Sequence, residues 1–182
     1  FFNERQRVEI GLVKVLEKNE LFNIGTNGEM KNLSFGLFAA EEIVSASGTS
    51  IPADGLIEII TLNEDGTAKI KTDLPIGNYY VKELATDEHY ILSDTKYPVN
   101  FEYAGQETAT VKVNANNGKT IENDLIYGSV SGKKVDEDGN ALGGALIGIF
   151  RTSDGEFTKE IALMTTVSAE DGSFSFENIP FG

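Results

Sequence analysis

Cysteine is absent from this chain of 182 residues, and histidine is nearly so. Without Cys, the chain can form neither disulfides nor thiolate metal sites. Its one His, His89, has no Cys or second His to act with, so we expect a surface residue, no metal site, no cofactor and no Ser/His/Asp centre. A small exported domain without disulfides needs a larger core, a metal or another covalent tie.

Basic residues are also scarce, with 15 Lys and Arg against 29 Asp and Glu, which gives a net charge of −14. Nucleic acids and anionic membrane surfaces bind basic faces, so neither is an expected partner. No apolar run is long enough to span a bilayer, and we expect no membrane contact by this segment. Because the chain starts at Phe1 without Met or a signal peptide, we expect it to be a piece of a larger protein.

What the chain does contain is an internal repeat. At an offset of 120 residues, IENDLIYGSVSGKKVD matches FFNERQRVEIGLVKVL, which places Lys14 on Lys134 and Asn3 on Asn123. A period of this length suits a whole small domain rather than a solenoid repeat. The predicted modules are a last-strand tail of a preceding module at 1–5, a complete module at 6–126 and the truncated N-terminal part of a following module at 127–182.

Short alternating segments separated by Gly-rich turns predict the fold class. LSFGLF at 33–38 matches ALIGIF at 145–150, and the turn Asp65-Gly66 matches Asp171-Gly172. Many short strands with little helical periodicity favour an all-β sandwich. Within it, we predict that 108–126 forms a β-hairpin around the Asn117-Gly118 turn signal.

Three predicted strands each carry one polar residue on the side of the strand that is otherwise apolar. Lys14 follows Val8, Ile10 and Leu12; Glu83 follows Tyr79 and Val81; Asn123 lies between Ile121 and Leu125. A buried unpaired charge is costly, so these side chains should meet one another or reach the rim of the sheet.

If the three side chains meet, a specific reaction follows. Burial lowers the pKa of a Lys, so Lys14 could hold a neutral, nucleophilic amine. A Glu in the same apolar pocket would stay protonated, donate to the Asn carbonyl and shuttle protons. Attack of the Lys14 nitrogen on the Asn123 side-chain carbon would then expel ammonia and leave an amide cross-link. The alternative is that Lys14 reaches solvent at a sheet edge, Glu83 is exposed and Asn123 caps a turn.

At these residues the chain resembles the collagen-adhesin B-type domains, which are prealbumin-like repeats of Gram-positive surface adhesins and pilins. The resemblance rests on VKV and KKVD, FGLFAAEEI and LIGIF, the DG turn before LPIG, the YYVKE box and the final IEND. It implies tandem prealbumin-like (inverse immunoglobulin-like) β-sandwich modules. It also implies an intramolecular isopeptide bond between Lys14 and Asn123, assisted by Glu83 as proton shuttle, with Lys134 and Asn3 as unpaired equivalents.

We therefore expect a structural, non-enzymatic stalk segment of a cell-wall-anchored protein on the extracellular surface of a Gram-positive bacterium. Adjacent modules of the same chain are the expected partners, together with a host extracellular-matrix or glycan ligand. An alternative is that the module itself binds a host glycoprotein or glycan through its loops at 19–32 and 41–55. A conventional enzyme domain is the third hypothesis, and it lacks a catalytic cluster.

Overall fold

The computed structural model describes residues 5–44 and 48–182, so Asn3 lies outside the described residues. Short 3-10 helices lie at Glu29–Asn32 and Ala115–Gly118. In the described ranges, no helix has the length and apolar character needed to cross a membrane. The strands are β1 Arg7–Leu16, β2 Ser34–Ala39, β3 Ile43–Val44, β4 Ser50–Ile51, β5 Leu56–Thr61, β6 Thr67–Ile70, β7 Gly77–Ala85, β8 Tyr97–Phe101, β9 Thr110–Asn114, β10 Ile121–Asn123, β11 Tyr127–Lys133, β12 Leu146–Ile149, β13 Met164–Val167 and β14 Ser173–Pro180.

The chain divides into two compact units. The first unit contains residues 5–18 and 25–125, and the second contains 19–24 and 126–182. That these units are successive modules of one kind stays a prediction.

The first unit contains two four-stranded sheets. In one sheet, β1 lies between β6 and the pair β9 and β10, and the other has the order β5-β2-β7-β8. The apolar core is contributed by alternate residues of strands in both sheets, as in a sandwich. Its fully buried side chains include Ile10, Phe35, Leu37, Tyr79, Val81, Val99, Phe101 and Ile121.

Strand β1 is the centre of its sheet because it pairs with strands on both edges, and its residues alternate strictly between core and solvent. Val8, Ile10, Leu12, Lys14 and Leu16 are all buried, as the sequence pattern predicts. On one side β1 pairs antiparallel with β6, from Ile10 opposite Ile70 to Val13 opposite Thr67. Its other side pairs with the end of the unit.

The predicted hairpin at 108–126 is wrong. Both β9 and β10 pair parallel with β1, β9 along Arg7–Gly11 and β10 along Lys14–Leu16, so they run in the same direction. Between them the chain makes a loop in which Asn116 and Asn117 adopt left-handed φ values of 55° and 53°. The Asn-Gly signal marks a local turn, but the strand direction is decided by pairing with β1, which is distant in sequence.

The second sheet places β7 in its interior. Strand β7 pairs antiparallel with both β2 and β8, and Glu83 lies opposite Phe35 of β2. Phe35 is fully buried, so Glu83 occupies an apolar part of the sandwich. The glycine at position 36 allows the Phe38 ring to lie over it, since a Cβ there would be 2.5 Å from the ring.

The second unit contains two antiparallel strand pairs, β11 with β14 and β12 with β13. In the first pair, Val130 lies opposite Phe176 and Gly132 opposite Phe174. A Cβ at Gly132 would be 2.5 Å from the Phe174 ring, so this position requires glycine while Phe174 is present. Phe174 and Phe176 form an edge-to-face pair with centroids 6.3 Å apart.

Candidate cross-link site

Lys14, Glu83 and Asn123 are all buried in the first unit. Their exposed fractions are 1%, 1% and 3%. Strands β1 and β10 are neighbours in one sheet, where Leu16 lies opposite Asn123, whereas Glu83 comes from β7 of the facing sheet. The alternative of a solvent-exposed Lys14 and Glu83 therefore does not describe this structure.

Glu83 and Asn123 are in direct contact across the sandwich. Asn123 Nδ2 donates to Glu83 Oε1 at 2.9 Å and to Oε2 at 3.0 Å. The backbone N–H of Ser93 also donates to Oε2, at 2.9 Å. The carboxylate thus accepts hydrogen bonds from two nitrogen donors, and its position is fixed from the loop after β7 as well as from β10.

The direction of this contact differs from the predicted one, in which Glu83 donates to the Asn123 carbonyl. The amide nitrogen faces Glu83 instead, and its contacts with this residue and that of the Ser93 N–H all end on the two carboxyl oxygens. Asn123 Nδ2 makes a third contact, to Thr86 Oγ1 at 2.9 Å. Asn123 Oδ1 is buried and has no hydrogen-bond partner among the described residues. An unpaired buried acceptor of this kind costs roughly 1–3 kcal/mol.

The Lys14 amine lies against the strand that carries Asn123. Its Nζ donates to the carbonyl of Ile121 at 3.2 Å, two residues before Asn123, and to that of Val15 at 3.3 Å. Desolvation by burial lowers the pKa of Lys14 to about 8, against the opposing charges of Glu83, Glu122 and Asp124. A substantial fraction of the amine is therefore neutral, and nucleophilic, near pH 8.

A turn in the first unit fixes the backbone of Lys14. The N–H of Lys14 donates to the carbonyl of Gly66 at 2.8 Å, and a Cβ at Gly66 would lie 2.1 Å from the Lys14 carbonyl oxygen. Gly66 has a φ of +78°, a conformation that favours glycine. The Asp65 side chain caps this turn by accepting from the backbone N–H of Thr67 at 3.0 Å.

The loop between β7 and β8 closes the other end of the site. Tyr90 is buried, and its hydroxyl donates to the Glu17 carbonyl at 2.9 Å. The next residue, Ile91, donates its N–H to the Asp124 carbonyl at 3.0 Å, and Glu17 accepts the N–H of Leu125 at 2.7 Å. These bonds attach the loop to both β1 and the segment that follows Asn123.

Other sequence-predicted residues lie outside this cluster. Lys134 is half-buried in the second unit, where its Nζ donates to the Val135 carbonyl at 2.7 Å. His89 is half-buried rather than fully on the surface, and its ring contacts the buried carboxylate of Asp87. Among the described residues, no group of three or more His, Cys, Asp or Glu side chains could hold a metal ion.

Two residues of the site, Thr86 and Ser93, were not among those predicted from the sequence. Both lie in the loop after β7, where no alternation exists to assign a side chain to a face. Ser93 acts through its backbone N–H, which carries no sequence signal. Only the position of Thr86, three residues beyond Glu83, placed it near the predicted acid.

Comparison with known proteins identifies the fold family. A family model described as the SpaA prealbumin-like fold domain matches residues 18–119, which is more than half of the chain. The chain belongs to this family. The predicted all-β, prealbumin-like sandwich is confirmed, as is the resemblance to domains of Gram-positive surface adhesins and pilins. The SpaA prealbumin-like family is a structural one and not a known enzyme family.

Several solved structures are similar to this chain. The Bacillus anthracis TIE protein superposes with a TM-score of 0.62 at 18% identity, over 97% of this chain and 27% of that one. The C-terminal fragment of the pilus adhesin SpaC from Lactobacillus rhamnosus GG gives a TM-score of 0.47 at 14% identity, over 96% of this chain and 71% of that fragment. The Streptococcal ancillary pilin gives 0.39 at 19% identity, over 97% of this chain and 51% of that one.

This SpaA-family chain thus spans 27% of the TIE protein and 51% of the ancillary pilin. Comparison with curated proteins finds no match.

Proposed function

We propose that the first unit is a stalk module closed by an isopeptide bond between Lys14 and Asn123, with Glu83 moving the proton. Two observations carry the proposal: Glu83 and Asn123 are in hydrogen-bond contact, and the buried Lys14 amine bonds the Ile121 carbonyl on the strand that carries Asn123. In SpaA-family terms, the chain is a structural segment of a Gram-positive surface protein, extracellular and attached to the cell wall. Its partners are the adjacent modules, here assigned to 1–5, 6–126 and 127–182.

The reaction is a single acyl transfer. The neutral Lys14 nitrogen attacks the Asn123 side-chain carbon, and the negative charge develops on Oδ1. Glu83 takes one proton from the attacking nitrogen and delivers it to Nδ2, which leaves as ammonia. One N–C bond forms and one breaks, and no other reactant is needed. Fixed placement in an apolar pocket supplies the rate, because the reaction is intramolecular.

The bond would join the first and last strands of the unit. It closes a loop of about 109 residues, from Lys14 to Asn123. A disulfide that closes a loop of this length stabilises a folded protein by roughly 4–5 kcal/mol, and we expect the same of this bond. Pulling on the two ends loads the bond and the parallel pair of β1 and β10, so the interior strands carry little of the tension. This is the property that a stalk requires.

Matching strand registers support the assignment of two modules of one kind. Leu12 lies opposite Ala68 in the first unit, and Gly132, its equivalent in the repeat, lies opposite Phe174 in the second. Ala68 and Phe174 each lie two residues after the glycine of the matching Asp-Gly turn, so equivalent residues pair in both units. The Lys14 N–H bonds Gly66 at 2.8 Å, and the Lys134 N–H bonds Gly172 at 2.8 Å.

Direct binding of a host glycoprotein or glycan through the loops at 19–32 and 41–55 stays a prediction. A contiguous exposed aromatic or apolar patch on these loops would favour it. The described residues of these loops offer two exposed large apolar side chains, Leu21 and Val44, and both are aliphatic.

Intact mass tests the cross-link. The full chain should weigh ~17 Da less than its sequence mass, through loss of one ammonia in the acyl transfer. A tryptic digest should contain one branched species that joins the Lys14 and Asn123 peptides. Glu83→Ala should restore the full mass, and Glu88→Ala, which removes an exposed acid of the same unit, should not. A wild-type chain at full sequence mass would overturn the proposal.

A further inference from the structure

The amide nitrogen of Asn123 contacts two different acceptors, and the proposed reaction uses only one of them. Nδ2 carries two hydrogens. It lies 2.9 and 3.0 Å from the two Glu83 oxygens and 2.9 Å from Thr86 Oγ1. One N–H is therefore shared by the carboxylate, and the other is accepted by the hydroxyl.

Thr86 has a fixed position. It directly follows the last residue of β7 and is half-buried. The next residue, Asp87, is buried and accepts from Asn32 Nδ2 through its side chain, while its carbonyl accepts the Tyr90 N–H at 3.0 Å. The backbone on the loop side of Thr86 is thus held by two bonds that do not involve the site.

The orientation of the amide decides which of its ends can react productively. If the amide turned by 180° about its last torsion, Oδ1 would face Glu83 and the departing nitrogen would face away from the proton carrier. A hydroxyl that accepts one N–H leaves the other N–H directed at the carboxylate. In the tetrahedral intermediate the lone pair that forms on Nδ2 then lies within reach of the proton that Glu83 has taken from Lys14.

We infer that Thr86 orients the leaving group of Asn123, through the hydrogen bond from Nδ2 to its hydroxyl, so that ammonia departs toward Glu83. This inference rests on the proposed cross-link. Thr86 contacts a reacting atom, while the Ser93 N–H positions only the carboxylate. The bond changes during cross-linking are those already given, and Thr86 gains and loses no proton overall.

Three variants test the role of the hydroxyl in the full-length chain. Thr86→Val keeps the shape and removes the hydroxyl, Thr86→Ser keeps the hydroxyl, and Thr95→Val is a control at an exposed threonine of the same loop. Each chain is made by cell-free translation, samples are quenched in acid at timed intervals, and the rate of ammonia loss is measured by intact mass.

Loss of one neutral hydrogen bond in the transition state should slow Thr86→Val by roughly 5- to 10-fold. Thr86→Ser should react within about 3-fold of wild type, and Thr95→Val should match wild type. The midpoint of the pH–rate profile, set by Lys14, should be the same in all four chains, because Thr86 acts on the amide and does not titrate. A structural disturbance of the pocket would move that midpoint.

A second measurement uses the Lys14→Met background, in which the amide cannot react. There the two Asn123 side-chain N–H signals should show unequal hydrogen exchange, and Thr86→Val should accelerate one of them. Equal rates of ammonia loss in wild type and Thr86→Val would overturn the role of Thr86 and leave the cross-link intact. A wild-type chain that never loses ammonia would overturn both.

Discussion

The two units contain the same strand pair and turn, β1 with β6 in the first unit and β11 with β14 in the second. In each, an Asp-Gly turn comes directly before the second strand of the pair. The side chains of Asp65 and Asp171 accept the backbone N–H two residues further on, at 3.0 and 2.9 Å. In each, a Cβ on the turn glycine would collide with a lysine carbonyl oxygen, at 2.1 Å for Gly66 and 2.3 Å for Gly172. The backbones of Lys14 and Lys134 are therefore placed by the same device.

The side chains of the two lysines have different surroundings. Lys14 is 1% exposed and bonds the carbonyl of Ile121 in β10, whereas Lys134 is half-buried and bonds only its neighbour Val135 among the described residues. In the first unit, strands β7 and β10 also supply the buried pair of Glu83 and Asn123. The turn and first strand therefore place the lysine backbone, whereas the burial of the lysine side chain depends on strands that come later in the chain.

The largest expected difference between the two units is in the effect of removing each lysine on the mass deficit, which should be all-or-none. Lys14→Met should abolish the ~17 Da mass deficit, because the nucleophile of the acyl transfer is gone. Lys134→Met should keep the deficit in full. The measurement is intact mass of both purified variants. If the mass deficit survives in Lys14→Met, or disappears in Lys134→Met, the assignment of Lys14 as the nucleophile is wrong.

The burial of the three candidate residues of the first unit could be predicted from sequence because a strand alternates with period two. That regularity put Lys14, Glu83 and Asn123 on the buried faces of their strands, and the structure has all three buried. The orientation of the Asn123 amide could not be predicted, since it depends on the Ser93 N–H and the Thr86 hydroxyl. Both come from a loop, where side-chain direction follows no period.

The strand that carries Asn123 shows a second limit of sequence reasoning. Asn117-Gly118 predicted a reversal of direction, but β9 and β10 are parallel parts of one interrupted strand beside β1. Between the two pairings β1 advances from Gly11 to Lys14, while its partner advances from Asn114 to Ile121. The surplus residues form the left-handed loop. A turn signal reports local geometry, and only the long-range pairing shows where the chain goes next.

Loss of the cross-link should be the next largest effect, and it should be confined to the first unit. Asn123→Ala should lower the free energy of unfolding by roughly 4–5 kcal/mol, because the loop closed by the bond is released in the unfolded chain. Of the six tyrosines only Tyr127 lies in the second unit, so urea unfolding followed by tyrosine fluorescence reports mainly the first. Lys134→Met serves as the control. Equal loss of stability in both variants would contradict the comparison.

The pH dependence of the unlinked chain should contain a smaller effect that comes from Lys14. In Asn123→Ala the Lys14 amine stays free, and burial lowers its pKa from 10.5 to about 8 in the folded unit. Between these values the unfolded chain holds the proton and the folded chain does not, so stability rises with pH. The free energy of unfolding should increase by about 2 kcal/mol between pH 7 and 9.5.

Subtracting the same curve for the double variant Lys14→Met, Asn123→Ala isolates the Lys14 contribution from other titrating groups. The cross-linked wild type should lack this contribution, since its Lys14 nitrogen is an amide and does not titrate. A difference curve that stays flat from pH 7 to 9.5 would show that the Lys14 amine is not desolvated in the unlinked unit.

The smallest net effect is expected for a double variant at two facing positions, where the larger side chain is on one strand in the first unit and on the other strand in the second. Leu12 faces Ala68 in the first unit, and Gly132 faces Phe174 in the second.

If the units share one architecture, Phe174→Ala and Gly132→Leu should each destabilise the β11–β14 pair by roughly 1–3 kcal/mol, the first through a void and the second through a clash. Together they should restore most of the loss, because they recreate the Leu–Ala pair. Hydrogen exchange of the β11 and β14 amides measures these three chains, and exchange of the β1 and β6 amides measures the reciprocal cycle of Leu12→Gly, Ala68→Phe and their double variant. Additive losses in both cycles would mean that the matching registers do not reflect equivalent packing.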